Sequence, residues 1–409
     1  MSTSSSVEEQ LELLTRGVVE LHERDDLAER LKSGRPLKVK TGFDPTRPDL
    51  HVGHTVLMQK MRQFQELGHQ VVFLIGDFTA MVGDPTGKSS ARPRLTRDQV
   101  MEAAETYKAQ AFKVLDPKLT EVRYNSEWLS ALSLSQTIEL AAKRTVARTM
   151  ERRDFRERSE QNRDIYLHEL LYPLLQGYDS VALESDIELG GTDQLFNLMV
   201  GRDLMKGYGK RPQIVMTTPI LEGIDARIID GKVVGDKMSK TTNNFIGVTE
   251  APLEMFRKCM QIDDSVIWRF YELLSARATV EIQKIRAESG PLDAKKLFAE
   301  ELITRFHDQA AATSARAEFE ATYLTDGVPD DVAELTIATE GGGLALSKAL
   351  SEAQLVKSTS EGRRMIEQGG VEVDGARVTD PKHQLRRAGR YLIKVGSKKR
   401  RFAYISVPA

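Results

Sequence analysis

Leu37-Lys38-Val39-Lys40-Thr41-Gly42-Phe43-Asp44, closely followed by His51-Val52-Gly53-His54, is the stretch that decides the fold. The first run reads as an apolar strand ending in a turn. The second opens an apolar-periodic run from Val52 to Leu67, so a strand hands over to a helix N-terminus. Beyond it, short apolar runs alternate with helical patterns at Gln70 to Gly76, Gln99 to Leu115 and Glu121 to Tyr124. Thr96-Arg97-Asp98-Gln99 has the form of a capping box for the middle one. Alternating strand and helix predict an α/β fold, a parallel sheet with helices on both faces. Ligands in such sheets sit beyond the carboxyl ends of the strands, where both His51 to His54 and the loop beginning Gly76-Asp77-Phe78 fall.

The residues at that end suit phosphate. Unpaired amides and the positive end of the helix dipole attract anions, His51 and His54 supply donors, and Gly53 lets an adenine or ribose approach the backbone. Well downstream, Lys237-Met238-Ser239-Lys240-Thr241 sets two lysines three apart on a loop rich in small residues. Such a loop can close on a polyphosphate. The pair of signatures fits attack on the α-phosphate of ATP with pyrophosphate leaving, a reaction catalysed by positioning and charge neutralisation. Gly83 to Ser89 suggests a P-loop, but Val82 stands where that motif needs glycine.

HVGH followed by KMSK, together with Thr41 to Thr46, Gly83 to Lys88, Tyr172 to Asp179 and Gly190 to Gln194, resembles the class I aminoacyl-tRNA synthetases of the bacterial tyrosyl-tRNA synthetase kind. The likeness runs from about Lys38 to the C-terminus. It implies a Rossmann-like catalytic domain over 1–248, a helical domain over 249–323, a linker over 324–343 and a small α+β S4-like RNA-binding domain over 344–409. It also implies ATP-dependent activation of L-tyrosine and transfer of the tyrosyl group to tRNA(Tyr), with Mg2+ accompanying ATP and a homodimeric assembly. A tryptophan-specific enzyme, a nucleotidyltransferase and a non-catalytic RNA-binding protein are the rivals. Asp179 argues against the first, because indole offers no hydroxyl.

Residue by residue, the resemblance implies that His51, His54 and Thr46 hold the ATP phosphates and ribose. Lys237 and Lys240 hold the departing pyrophosphate, with Lys88 and Arg92 assisting. Thr241 stands where the usual motif ends in serine. Asp84 pairs with the substrate ammonium beside Tyr172 and Gln176, Asp179 meets the tyrosine hydroxyl, and Asp193 and Gln194 contact the adenylate ribose and the carboxylate region. Asp44 lies near the ammonium or ribose. Tyr172, Gln176 and Asp179 would share one face of a helix starting near Pro173. One departure touches specificity: Lys40 occupies a position where many relatives carry tyrosine. Alternation would point it to the same side as Gly42, at the pocket mouth, unless it merely faces solvent.

Composition places these motifs in context. The 409 residues carry a net charge of −2, but residues 344–409 hold 14 Lys and Arg against 6 Asp and Glu, a net of +8, which leaves −10 on residues 1–343. A basic module on an acidic body is the footprint of a nucleic-acid grip, and Arg363, Arg364, Lys398, Lys399 and Arg400 are its candidate phosphate contacts. The basic run Lys143 to Arg158 either steers RNA or is a solvated face. Cys259 is the only cysteine, which excludes an intrachain disulfide and a cysteine-built metal site. With no apolar run of membrane-span length and no secretory or transit signal at the start, a cytoplasmic location is expected. Residues 7–33 read as one acidic, Leu-rich helix.

Overall fold

The computed structural model describes residues 6–45, 50–86, 95–324, 332–338, 343–374, 376–385, 389–396 and 400–408. The chain divides into two compact units, Met1–Ala312 and Thr313–Ala409.

The first unit is built on a sheet of β1 (Glu20–His22), β2 (Lys38–Phe43), β3 (Gln70–Ile75), β4 (Thr120–Tyr124), β5 (Ile187–Gly191) and β6 (Ile214–Thr218), in the order β1-β6-β5-β2-β3-β4. Every pairing is parallel except that of the edge strand β1 with β6. In β3, Val71, Val72, Phe73, Leu74 and Ile75 are all buried, the continuous apolar run expected of a strand covered on both faces. The chain winds outward from β2 through β3 to β4, then returns to lay β5 and β6 on the other side of β2. The strand order therefore reverses between β2 and β5, and a crevice opens beyond their carboxyl ends.

The expected single N-terminal helix is instead α1 (Val7–Thr15), β1 and α2 (Arg24–Lys32). Gly17, at φ +68°, supplies the left-handed turn that breaks it, and β1 then takes the free edge of β6. The other early elements follow the pattern: α3 (Val52–Glu66), α4 (Asp77–Val82) and α5 (Arg97–Ala111). The Thr96 capping box is present in both directions, at 2.9 and 3.3 Å. After α6 (Ser126–Leu129), α7 (Leu134–Ala142), α8 (Val146–Met150) and α9 (Arg153–Glu160), the long helix α10 (Leu167–Leu183) packs against α11 (Leu195–Gly207). Gly177 permits this approach: a Cβ there would lie 2.9 Å from Leu204 Cδ1 and 3.1 Å from the Gly201 nitrogen. The hairpin β7 (Arg227–Ile229) and β8 (Lys232–Val234) precedes a helical stretch of α12 (Pro252–Gln261), α13 (Ile267–Leu274), α14 (Thr279–Glu288), α15 (Pro291–Phe306) and α16 (Gln309–Phe319). Pro252 and Pro291 open α12 and α15, where a missing N–H costs nothing.

The second unit encloses its own core, which includes Leu346, Leu350, Ile366, Val371, Ile393 and Ile405. β9 (Glu334–Thr336) and β10 (Leu344–Ala345) lead to α17 (Leu346–Glu352) and α18 (Thr359–Glu367). β11 (Val371–Val373), β12 (Ala376–Val378), β13 (Gln384–Leu385), β14 (Gly389–Val395) and β15 (Arg401–Val407) follow. The larger sheet runs β12-β11-β14-β15-β9. Glu334–Thr336, inside the stretch expected to be linker, is thus an edge strand parallel to β15.

Candidate active site

A cavity of about 280 Å³ opens where β2 and β5 diverge. Thr41 to Asp44 from the end of β2 and Glu188 to Gly191 from β5 form its walls with Asp84, Asn125, Tyr172, Gln176, Asp179, Gln194 and His54. The structure therefore gathers all six side chains expected to hold the amino acid: Asp44, Asp84, Tyr172, Gln176, Asp179 and Gln194. Tyr172, Gln176 and Asp179 do share one face of α10. That helix begins at Leu167, however, and Pro173 lies inside it rather than at its start.

Two hydrogen-bonded groups set the pocket's polarity. In the first, Gln194 Nε2 donates to Asp84 Oδ2 at 3.0 Å, and the Thr86 amide and hydroxyl donate to Oδ1 at 2.9 and 2.5 Å. Asn197 Nδ2 donates to Gln176 Oε1 and Gln194 Oε1 at 3.0 and 2.9 Å, and Arg152 reaches Thr86 Oγ1 at 2.5 Å and Asn197 Oδ1 at 3.2 Å. Tyr172 and Thr79 hydroxyls donate to Asp44 at 2.8 and 2.7 Å. Burial, reinforced by the nearby charges of Asp44 and Asp84, pushes the Tyr172 phenol well above its usual range, so it remains a donor.

The second group surrounds Asp179. Trp128 Nε1 donates to Oδ1 at 2.8 Å and Asn125 Nδ2 to Oδ2 at 3.4 Å. Burial pushes this carboxyl up to about 7, against the lowering effect of Lys40 and of the two donors. Lys40 is not at the pocket mouth, nor does it face solvent. Alternation does send it to the same face as Gly42, but its side chain is 0% exposed and its ammonium pairs with Glu188 Oε1 at 2.7 Å. The physical reason is register: Lys40 and Glu188 stand opposite each other on adjacent parallel strands.

The two signatures meet beside the cavity. His51 caps α3, and its neighbour Val52 donates a backbone bond to Ile246, just past the lysine loop. A Cβ on Gly53 would lie 3.5 Å from Met238 Cβ and 2.9 Å from His51 Nδ1, so this glycine allows the lysine loop and the histidine ring to close together. The His51 amide donates to His54 Nδ1 at 3.2 Å, which leaves the His54 proton on Nε2 as a donor. His51 Nδ1 is buried with no partner among the described residues. Burial, then mutual repulsion and the charges of Lys240 and Lys237, drives His51 down to about 3. Burial and the same lysines hold His54 at about 4. Both rings are neutral donors at pH 7 in a field already positive.

Lys237 and Thr241 are exposed and Lys240 half-buried. Asn244 organises the loop by accepting from the Ser239 amide and the Thr242 hydroxyl, both at 2.8 Å. Asp193 stands next to the cavity-lining Gly191 and Gln194. Its carboxyl is raised by burial and by Asp84, and lowered in turn by Lys237. Thr46, Lys88 and Arg92 lie outside the described residues, as do Lys398 and Lys399. In the second unit Arg363 and Arg364 are exposed on α18, and Arg400 is half-buried immediately before β15.

Sequence reasoning missed Thr79, Thr86, Asn125, Trp128, Arg152, Glu188, Asn197 and Asn244. Asn125 had a signal, since it directly follows the parallel strand β4 at its carboxyl end. Much of the basic run from Lys143 to Arg158 is used internally: Arg158 is buried against Glu169 at 2.7 Å, Arg144 bonds Asp203, and Arg152 braces the Asp84 group.

This arrangement, a polar cavity at the switch point of a parallel sheet with two histidines and a lysine loop beside it, is that of an α/β ligand-binding site. The profile described as "tRNA synthetases class I (W and Y)" matches residues 32–323, and that of the S4 domain matches residues 346–389. The chain belongs to the class I tRNA synthetases of the tryptophan and tyrosine group. Among its relatives, the tyrosine–tRNA ligase of Desulfotalea psychrophila is 51% identical, with 98% of each chain covered. That of Coxiella burnetii is also 51% identical, covering 98% of this chain and 99% of the relative. The tyrosyl-tRNA synthetase of Archaeoglobus fulgidus, solved with L-tyrosine, shares the fold at a TM-score of 0.62 and 23% identity, over 75% of this chain and 99% of that one. A truncated mitochondrial tyrosyl-tRNA synthetase of Aspergillus nidulans does so at a TM-score of 0.64 and 21% identity, over 78% and 95%.

Proposed function

We propose that in this chain, a tyrosine–tRNA ligase, the cavity between β2 and β5 binds L-tyrosine and the two signature loops bind ATP. The single observation that carries this is the convergence of Asp84, Tyr172, Gln176 and Asp179 on one cavity beside the packed His51, His54 and Met238. In this reading Asp84, held by Gln194 and Thr86, takes the substrate ammonium with Tyr172 and Gln176, while Asp179 accepts from the phenol hydroxyl. The tyrosine carboxylate attacks the α-phosphate of ATP. His51 and His54 donate to phosphate oxygens, and Lys237 and Lys240 follow the charge onto pyrophosphate. Asp193 and Gln194 hold the ribose side of the adenylate, and the tyrosyl group then passes to the terminal adenosine of its tRNA.

Among the described residues, no group of three or more His, Cys, Asp and Glu is placed to hold a metal. In this reading Mg2+ accompanies ATP, carried on its phosphates as part of the substrate. Residues 1–248 are the catalytic domain, 249–323 the helical domain and 344–409 the RNA grip, where exposed Arg363 and Arg364 with Arg400 meet phosphates. A homodimer is supported by apolar side chains left exposed on α7, α8 and the start of α10, among them Leu134, Ile138, Val146 and Leu167. A cytoplasmic location fits a single, buried, unbridged cysteine. Among the described residues no helix is long and apolar enough to cross a membrane.

The test of these roles is tyrosine-dependent ATP–pyrophosphate exchange. Lys237→Ala, Lys240→Ala and His51→Ala should each lower kcat with little change in tyrosine affinity. One preorganised donor lost costs up to about 3 to 4 kcal/mol. An effect confined to tyrosine affinity would refute the assignment.

A further inference from the structure

Beneath the tyrosine cavity lies a buried polar cluster that the chemistry above does not use. Lys40 on β2 and Glu188 on β5 are 0% and 2% exposed and joined at 2.7 Å. Glu188 Oε2 accepts from Ser180 Oγ at 2.9 Å and from Gln213 Nε2 at 2.8 Å. Ser180 is the residue after Asp179 on α10, and Glu188 and Asp179 line the same cavity. A buried ion pair is a poor way to gain stability, because desolvation consumes most of its Coulombic energy. Its position suggests another use.

We propose, building on the assignment of Asp179 as acceptor of the substrate phenol, that the Lys40–Glu188 pair is a positioning element for tyrosine specificity: Lys40 fixes a positive charge under Asp179 that keeps this carboxylate ionised, and Glu188 holds that charge in place. The need follows from the surroundings. Asp179 is buried, its hydrogen-bond partner Trp128 packs on the apolar cluster of Val72, Leu74 and Leu183, and a carboxylate in such surroundings strongly disfavours its charge. Among the described residues, the charged groups that act on it most are Lys40 on β2 and Glu188 on β5. Asp44 and Tyr172 line the same cavity and are bonded to each other, and Asp77, at the start of α4, is occupied by the Phe78 and Ser126 amides. Glu127 on α6 turns to Arg123, Glu139 on α7 to Lys143, and Asp203 on α11 to Arg144. Lys40 is thus the cation placed to offset the burial of Asp179, and Lys40 lowers that carboxyl where Glu188 raises it.

Replacing Lys40 by a neutral side chain would leave two buried carboxylates facing one cavity, which cannot readily both ionise. Tyrosine binding would then have to expel a proton from Asp179 at neutral pH. Removing both charges restores the balance.

The experiment measures kcat and KM for tyrosine in ATP–pyrophosphate exchange between pH 6 and 9. It compares the full chain with Lys40→Met, Glu188→Gln, the double variant and Asp179→Asn. The acid limb of kcat/KM should move upward by about one unit or more in Lys40→Met, a roughly tenfold loss at pH 6.5 carried by KM rather than kcat. Glu188→Gln alone should move it downward, and the double variant should return it toward the parent. Should Lys40→Met fail to fold, the opposite shift in Glu188→Gln and the retained limb in Lys40→Arg carry the test. An unmoved limb in folded Lys40→Met, an upward shift in Glu188→Gln, or a double variant no better than Lys40→Met overturns the proposal. Asp179→Asn separates the two levels. A limb that vanishes there but ignores Lys40 defeats the pair alone, whereas a limb that persists there defeats the Asp179 assignment and the pair with it.

Discussion

Trp128→Phe isolates what one hydrogen bond does for the ionised Asp179. The indole Nε1 donates to Oδ1 at 2.8 Å, while the second donor, Asn125, is longer at 3.4 Å. A hydrogen bond to a charged group contributes roughly 1.5 to 3 kcal/mol, which is about one to two pKa units at roughly 1.36 kcal/mol per unit. Its loss raises a carboxyl that burial already holds at about 7. The sign of the consequence depends on pH. Trp128 stabilises the ionised carboxylate in the empty and the tyrosine-bound site alike, so above the raised pKa the two losses cancel and kcat/KM changes little. Below about pH 7 the empty site holds the neutral acid, binding must ionise it, and the loss appears in full as about 10- to 100-fold in kcat/KM for tyrosine. Phenylalanine has no hydroxyl and should lose little, so discrimination falls at pH 6 and recovers near pH 9. The assay is pyrophosphate exchange with both amino acids at both pH values. An equal loss for tyrosine and phenylalanine, or a loss independent of pH, would mean that Trp128 only packs against Val72, Leu74 and Leu183.

Two further outcomes follow from the packing and from the charge distribution. Gly177→Ala should destabilise the first unit by up to about 2 kcal/mol, because overpacking against Leu204 and Gly201 costs about 1 to 3 and a helix-propensity gain of about 1 offsets only part of it. A urea midpoint that rises would contradict the tight α10–α11 contact. Arg363→Glu with Arg364→Glu should weaken tRNA charging and flatten its salt dependence while leaving pyrophosphate exchange unchanged, and tRNA KM measured across salt concentrations checks this.

What the sequence disclosed, and what it did not, divides along a physical line. The alternation around Leu37 to Leu67, the Thr96 capping box and the four-residue spacing of Tyr172 and Gln176 are local signals, and each appears in the fold as expected. The partner of Lys40 was illegible because it lies 148 residues away and is set by strand register, which no local pattern encodes. Pro173 misled for a related reason. Proline favours the first turn of an isolated helix, but the packing of α10 against α11 tolerates it inside. Gly17 broke a helix that composition alone would have continued, since the open edge of β6 gave the chain an alternative.

The most direct measurement of the account is amino-acid-dependent ATP–pyrophosphate exchange with the full chain, run separately with each of the twenty amino acids. Exchange with tyrosine, and with phenylalanine lower by roughly 10⁴- to 10⁵-fold, is the predicted result, a discrimination known for sites built to hydrogen-bond a substrate hydroxyl and drawn from this same enzyme family. Exchange driven by tryptophan, or by no amino acid at all, would contradict it.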